Sequence, residues 1–98
     1  MNPRRLTATD VSDLAQTLPM WHISDGQLTR EIKAPTYMIA IKWVVAIAGA
    51  AESLDHHPDI DIPWRTLRIA LITHSTGCLT ELDLDLARLI DTVLSTGG

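Results

Sequence analysis

The chain has 98 residues, 46% of them hydrophobic, a formal net charge of −4 and a pI near 5.3. That length sets one domain with a thin core as the default, and oligomerisation is a common remedy for so small a domain. The acidic balance argues against nucleic acid as a partner, since phosphate binding needs clustered Lys and Arg and only Arg4-Arg5 stand together near the start.

Val11, Leu14, Ala15 and Leu18 follow helical spacing, so a short helix is expected over Asp10–Leu18, capped by Thr9 or Asp10 and stopped by Pro19. Trp21 to Ile23 and Leu28 to Ala34 read as two strands joined by a turn at Ser24-Asp25-Gly26. Leu28, Arg30 and Ile32 break clean alternation in the second. Pro35 suits the first turn of a helix, which then runs from Tyr37 to Leu54. Its apolar residues cover more than one face: Tyr37, Ile41, Val44 and Ala48 form a stripe, and Met38, Val45 and Ile47 lie off it. Such a helix needs two partners, the domain's own sheet and a second subunit.

The polar segment Asp55 to Asp61 is a loop entering a strand in which Ile60 and Ile62 alternate with Asp59 and Asp61. Leu67, Ile69, Leu71 and Thr73 alternate with Arg68, Ala70 and Ile72, a further strand, with the turn between the two near Pro63 to Thr66. Gly77 marks a loop, and Thr80-Glu81-Leu82-Asp83 has capping-box spacing. Leu82, Leu86, Leu89 and Val93 then run down one face of a last helix before Gly97-Gly98. The expected fold is a single α+β domain of order α-β-β-α-β-β-α, a four-stranded antiparallel sheet with three helices on one face.

Phenylalanine is absent, so the aromatic core is expected to rest on Trp21, Tyr37, Trp43 and Trp64. Cys78 is the one cysteine, which excludes an intrachain disulfide and fits a reducing cytoplasm. Thr7 to Asp13 is no apolar h-region, so no signal peptide is expected. Ala34 to Ala51 is apolar enough to raise the question of a membrane span, but Lys42 sits near its middle and Pro35 at its start. A span needs roughly 20 apolar residues and a central Lys is costly, so a buried helix and no membrane partner are expected.

Three of the four histidines fall in one region: Glu52, His56-His57-Pro58, Trp64, His74 and Asp83. Each histidine sits at a predicted element end, where a side chain can reach a cleft. Neutral imidazoles can donate and accept protons near working pH. Three unrelated surface histidines are the plainer account. A catalytic zinc site built from the histidines with Asp55, Asp59 or Asp61 is the other chemical reading. Yet no H-x-x-x-H pair occurs, and adjacent residues on an extended chain point to opposite sides.

The stretch Glu52-x3-His56-His57-Pro58, with Trp64, His74 and Asp83 beyond, resembles the signature of the pterin-4a-carbinolamine dehydratases. The run Leu79-Thr80-Glu81-Leu82-Asp83-Leu84-Asp85-Leu86-Ala87 resembles the start of that family's last helix, and Trp21 its first hairpin. The resemblance covers nearly the whole chain. It departs at Ile60 and Asp61, where many members carry aromatics, and at Ile32, Tyr37, Met38 and Trp43, where many carry phenylalanine.

The resemblance implies dehydration of 4a-hydroxytetrahydropterin to the quinonoid dihydropterin, part of tetrahydropterin recycling, with no cofactor and no metal. It implies His56, His57 and His74 as a group of acids and bases. Pro58, Thr73, Ser75 and Thr76 would border the pterin. Asp83 would hold a histidine in one tautomer while also capping its helix, and Glu52 would stand at the family's acidic position. It also implies a homodimer or homotetramer. Relatives on this fold that serve as protein partners or assembly factors leave a binding module as the alternative.

Overall fold

The computed structural model describes residues 3–96, so Gly97-Gly98 lie outside the described residues. The elements are α1 (Ala8–Thr17), β1 (His22–Ser24), β2 (Gln27–Lys33), α2 (Tyr37–Leu54), β3 (Asp59–Asp61), β4 (Thr66–Leu71) and α3 (Glu81–Ser95). The strands form one antiparallel sheet in the order β1-β2-β4-β3. This is the α+β fold expected from the element order.

Alternation sets the sheet's two faces. Leu28 on β2 and Leu67, Ile69 and Leu71 on β4 are buried in the core with Ala40, Trp43, Ile47 and Ala51 of α2 and Leu86, Ala87 and Ile90 of α3. The other face carries Glu31, Lys33, Asp59, Asp61 and Arg68, all exposed, and no element covers it among the described residues. Arg30 explains the broken alternation of β2. It lies on the core side, where its Nη1 meets Asp91 Oδ1 of α3 at 2.6 Å, and Trp21 Nε1 donates to the same oxygen at 2.7 Å. A part-buried ion pair stands where a hydrophobic residue would be read.

Several expectations need correction. The cap of α1 is Thr7, whose hydroxyl accepts from Asp10 N while Asp10 Oδ2 accepts from Thr7 N, a capping box begun two residues earlier than expected. Thr36 caps α2, accepting from Ile39 N, so Pro35 precedes the helix instead of opening it. β1 begins at His22, β2 ends at Lys33, β3 is Asp59–Asp61, and β4 ends at Leu71.

The buried stripe of α2 is Ala40, Trp43, Ile47 and Ala51, so the stripe expected from Tyr37, Ile41, Val44 and Ala48 does not face the core. A helix apolar on several sides gives no phase from sequence. With only 22% of α2 buried, it is not the mostly buried helix expected, and by length and composition it passes as long and apolar enough to cross a membrane. The buried line of α3 runs through Leu86, Ile90 and Leu94, while Leu89 is exposed. Trp21 and Trp43 alone carry the aromatic core; Tyr37 is 51% and Trp64 69% exposed. Trp64 has φ +61°, an uncommon conformation for a bulky residue, in the turn between β3 and β4, with the Arg65 guanidinium 4.7 Å from its ring centre.

Candidate active site

Asp55 ends α2 in the left-handed region at φ +47°, with its N–H donating to Ala51 O and Glu52 O. This turn reverses the chain, and His56 N donates back to Ala51 O at 3.1 Å. His56 is thereby carried inward to the start of α3. Its Nε2 lies 2.6 Å from Oδ1 of Asp83, which is fully buried.

Asp83 caps α3 at the same time. Its Oδ2 accepts from Thr80 N at 2.9 Å and from Thr73 Oγ1 at 2.8 Å. The Thr73 and Thr80 hydroxyls are 2.6 Å apart, and Thr80 Oγ1 accepts from Leu82 N at 3.2 Å. A cluster of His56, Thr73, Thr80 and Asp83 therefore ties the end of α2, the exit of β4 and the start of α3 together, with every one of the four buried.

His57 takes the opposite side. It is exposed, and its Nε2 lies 2.6 Å from Oε2 of Glu52, one turn back on α2. His74 is also exposed and follows Thr73 directly, so it stands beside the residue whose hydroxyl binds Asp83. The loop after it is closed by Thr73 N donating to Cys78 O, with Gly77 at φ +69° donating to Thr73 O at 2.9 Å. Ser75 is exposed, and Thr76 is half-buried with its hydroxyl donating to Thr73 O. Pro58 is half-buried just before β3.

β3 begins and β4 ends at one end of the sheet, since Asp59 pairs with Ala70. His56, His57, Pro58, His74, Ser75, Thr76 and Asp83 thus gather there. Two residues are placed otherwise than expected. Thr73 is 3% exposed, its hydroxyl engaged by Thr80 and Asp83 and its backbone by the loop, so it lies beneath the site and not along its border. Trp64, grouped with the histidines by spacing, sits at the far end of the β3–β4 hairpin. Thr80 carries only a capping signal in the sequence; nothing there marks its hydroxyl as part of the cluster. Among the described residues no group of three or more His, Cys, Asp or Glu could hold a metal ion. Neither of two cavities, of about 430 and 540 Å³, is lined by His56, His57 or His74: one lies on the open face of the sheet around His22, Asp59 and Arg68, the other between the first hairpin and Gly77 to Leu79.

The family model described as pterin 4 alpha carbinolamine dehydratase matches residues 4–93. The chain belongs to the pterin-4a-carbinolamine dehydratase family. A relative from Mycobacterium sp. (strain KMS) is 46% identical over 89 residues, covering 91% of this chain and 95% of its own. One from Mycobacterium avium (strain 104) is 44% identical over 91 residues, covering 93% and 97%. Both carry the name pterin-4-alpha-carbinolamine dehydratase, given provisionally. Among solved structures, a transcriptional coactivator/pterin dehydratase from Brucella melitensis superposes with a TM-score of 0.84 at 30% identity, covering 92% of this chain and 98% of that one. A pterin dehydratase-like protein identified as a RuBisCO assembly factor in the alpha-carboxysome shares the fold, with a TM-score of 0.65 at 18% identity over 80% of this chain and 93% of its own.

Proposed function

We propose that the protein dehydrates 4a-hydroxytetrahydropterin to the quinonoid dihydropterin, as in tetrahydropterin recycling. The observation that carries the reading is the gathering of His56, His57 and His74 at one end of the sheet, two of them braced by carboxylates, in a chain of this family. The C4a hydroxyl leaves as water after gaining a proton, while the adjacent N5 loses one and its electron pair completes the double bond to C4a. That is general acid–base work. His56, His57 and His74 act as the acid–base group, with Asp83 and Glu52 behind the first two. Pro58, Ser75 and Thr76 border the pterin.

The chemistry requires neither metal nor cofactor. Elemental analysis of the purified chain is expected to give no stoichiometric zinc; about one zinc per chain, with activity lost on chelation, would replace this reading with a zinc hydrolase. The lone Cys78 supports a reducing cytoplasm. The outer face of α2 supports a homodimer or homotetramer.

The alternative is a binding module, supported by proteins on this fold described as a coactivator and an assembly factor. Turnover of freshly generated 4a-hydroxytetrahydropterin separates the two. The enzyme reading expects dehydration well above the unaided rate, and no excess over that rate leaves the binding module.

A further inference from the structure

The buried cluster under the site has a direction, and it holds in place the carboxylate that fixes a proton on His56. Asp83 is fully buried, and both oxygens of its carboxylate are acceptors. Oδ2 is used on Thr80 N–H and Thr73 Oγ1–H. The first is a backbone donor and cannot reverse.

Thr73 has one hydroxyl proton, and Asp83 receives it. The 2.6 Å contact between the two hydroxyls must therefore use the proton of Thr80. Thr80 Oγ1 is free to give it, because that oxygen accepts from Leu82 N–H at the helix start. The hydrogen bonds run one way: Leu82 N–H to Thr80, Thr80 to Thr73, Thr73 to Asp83.

Asp83 Oδ1 is then left to accept from His56, at 2.6 Å. So Nε2 of His56 carries hydrogen whether the ring is neutral or charged. Its Nδ1 makes no hydrogen bond among the described residues. Nor is it among the buried side-chain nitrogens left without a partner, which are Arg30 Nε, Trp43 Nε1 and Arg65 Nε. Nδ1 is thus the ring nitrogen that reaches solvent.

We infer that Thr73 and Thr80, acting through Asp83, are positioning residues that hold His56 in its Nε2–H tautomer and make Nδ1 the atom through which it exchanges protons. The catalytic consequence rests on the dehydratase reading. In it, any proton that His56 passes to or takes from the pterin travels by Nδ1. The tautomer itself depends only on the fold.

The test is nitrogen-15 NMR of the histidine rings in the full chain without pterin, with His56 assigned by its loss in His56→Ala. Neutral His56 should show a protonated Nε2 and a bare Nδ1. Asp83→Asn should invert this. The fixed Thr80 N–H and the Thr73 hydroxyl demand the amide oxygen, which turns the amide NH₂ toward His56, so Nε2 must accept and Nδ1 must carry the proton. A wild-type ring protonated at Nδ1, or an Asp83→Asn protein that keeps the wild-type tautomer, overturns the inference. Where Asp83→Asn does not fold, the wild-type spectrum still decides.

In turnover, Thr73→Val should lower kcat by about 10-fold with KM little changed, the low end of the loss seen when the outer partner of a metal-ligating histidine is removed. Thr73→Ser should restore it. An equal loss in both variants overturns the positioning role of the hydroxyl. A chain that shows the Nε2–H form but no dehydration keeps the tautomer and removes the dehydratase reading.

Discussion

Asp10 shows what local donors do to one carboxylate. The backbone N–H of Thr7, and then the Arg4 guanidinium, hold its carboxyl at about 2, below the ordinary 3.8. A depressed folded pKa contributes stability that is present above the unfolded value, near 3.8, and is lost as pH falls through about 2. Asp10→Asn should therefore melt below wild type at neutral pH, and the gap should narrow between about pH 4 and pH 2. Thermal melts of both proteins across that range check this; a gap independent of pH contradicts it. The Thr80 to Asp83 spacing announces a cap in the sequence alone, and Asp83 does cap α3. What spacing could not announce is that the same carboxylate reaches His56, 27 positions earlier. That contact depends on the left-handed turn at Asp55 and on how α2 docks against α3, both tertiary facts. His57 is simpler, because Glu52 lies only five residues back, in the last turn of α2. The resemblance alone sets Thr73 at the pterin's border, and spacing could not announce that its side chain is buried against Thr80 and Asp83.

At the scale of elements, β4 is legible because its alternation is clean, and α2 is not legible in phase because too many of its faces are apolar. β2 misreads locally at Arg30 for a physical reason. The ion pair with Asp91 places a charge on the core side of a strand, with the Arg30 side chain 10% and that of Asp91 30% exposed. Removing one partner of a buried pair strands the other charge, while replacing both partners by apolar groups of similar volume avoids that penalty. Asp91→Ala should cost roughly 2–4 kcal/mol, somewhat below a fully buried pair because Asp91 is partly solvated. Arg30→Met should cost clearly less, because the Asp91 left behind is partly solvated and still accepts from Trp21 Nε1. Urea unfolding of the two variants compares them, and equal losses would mean that the pair contributes as packing and not as charge.

At the scale of the molecule, the outer side of α2 is left without a partner by the fold itself. Met38 is 64% and Val45 68% exposed, beside the half-buried Ile41. A small chain seldom leaves such a face to water. Light scattering at micromolar concentration should give a dimer or tetramer, and Val45→Glu should shift it toward the monomer. A monomer mass for the wild type would remove the association. The proposed chemistry, however, resides in the histidines. It is tested most directly by following the decay of freshly made 4a-hydroxytetrahydropterin alone and with wild type, His57→Ala, His74→Ala and His22→Ala. His22 is exposed on β1, outside the histidine group, and serves as the control. Wild type and His22→Ala should dehydrate the pterin far above its unaided rate. His57→Ala and His74→Ala should each be slower by roughly 10²- to 10⁴-fold, the range for losing a positioned acid or base. Wild type at the unaided rate, or three variants that behave alike, would contradict it.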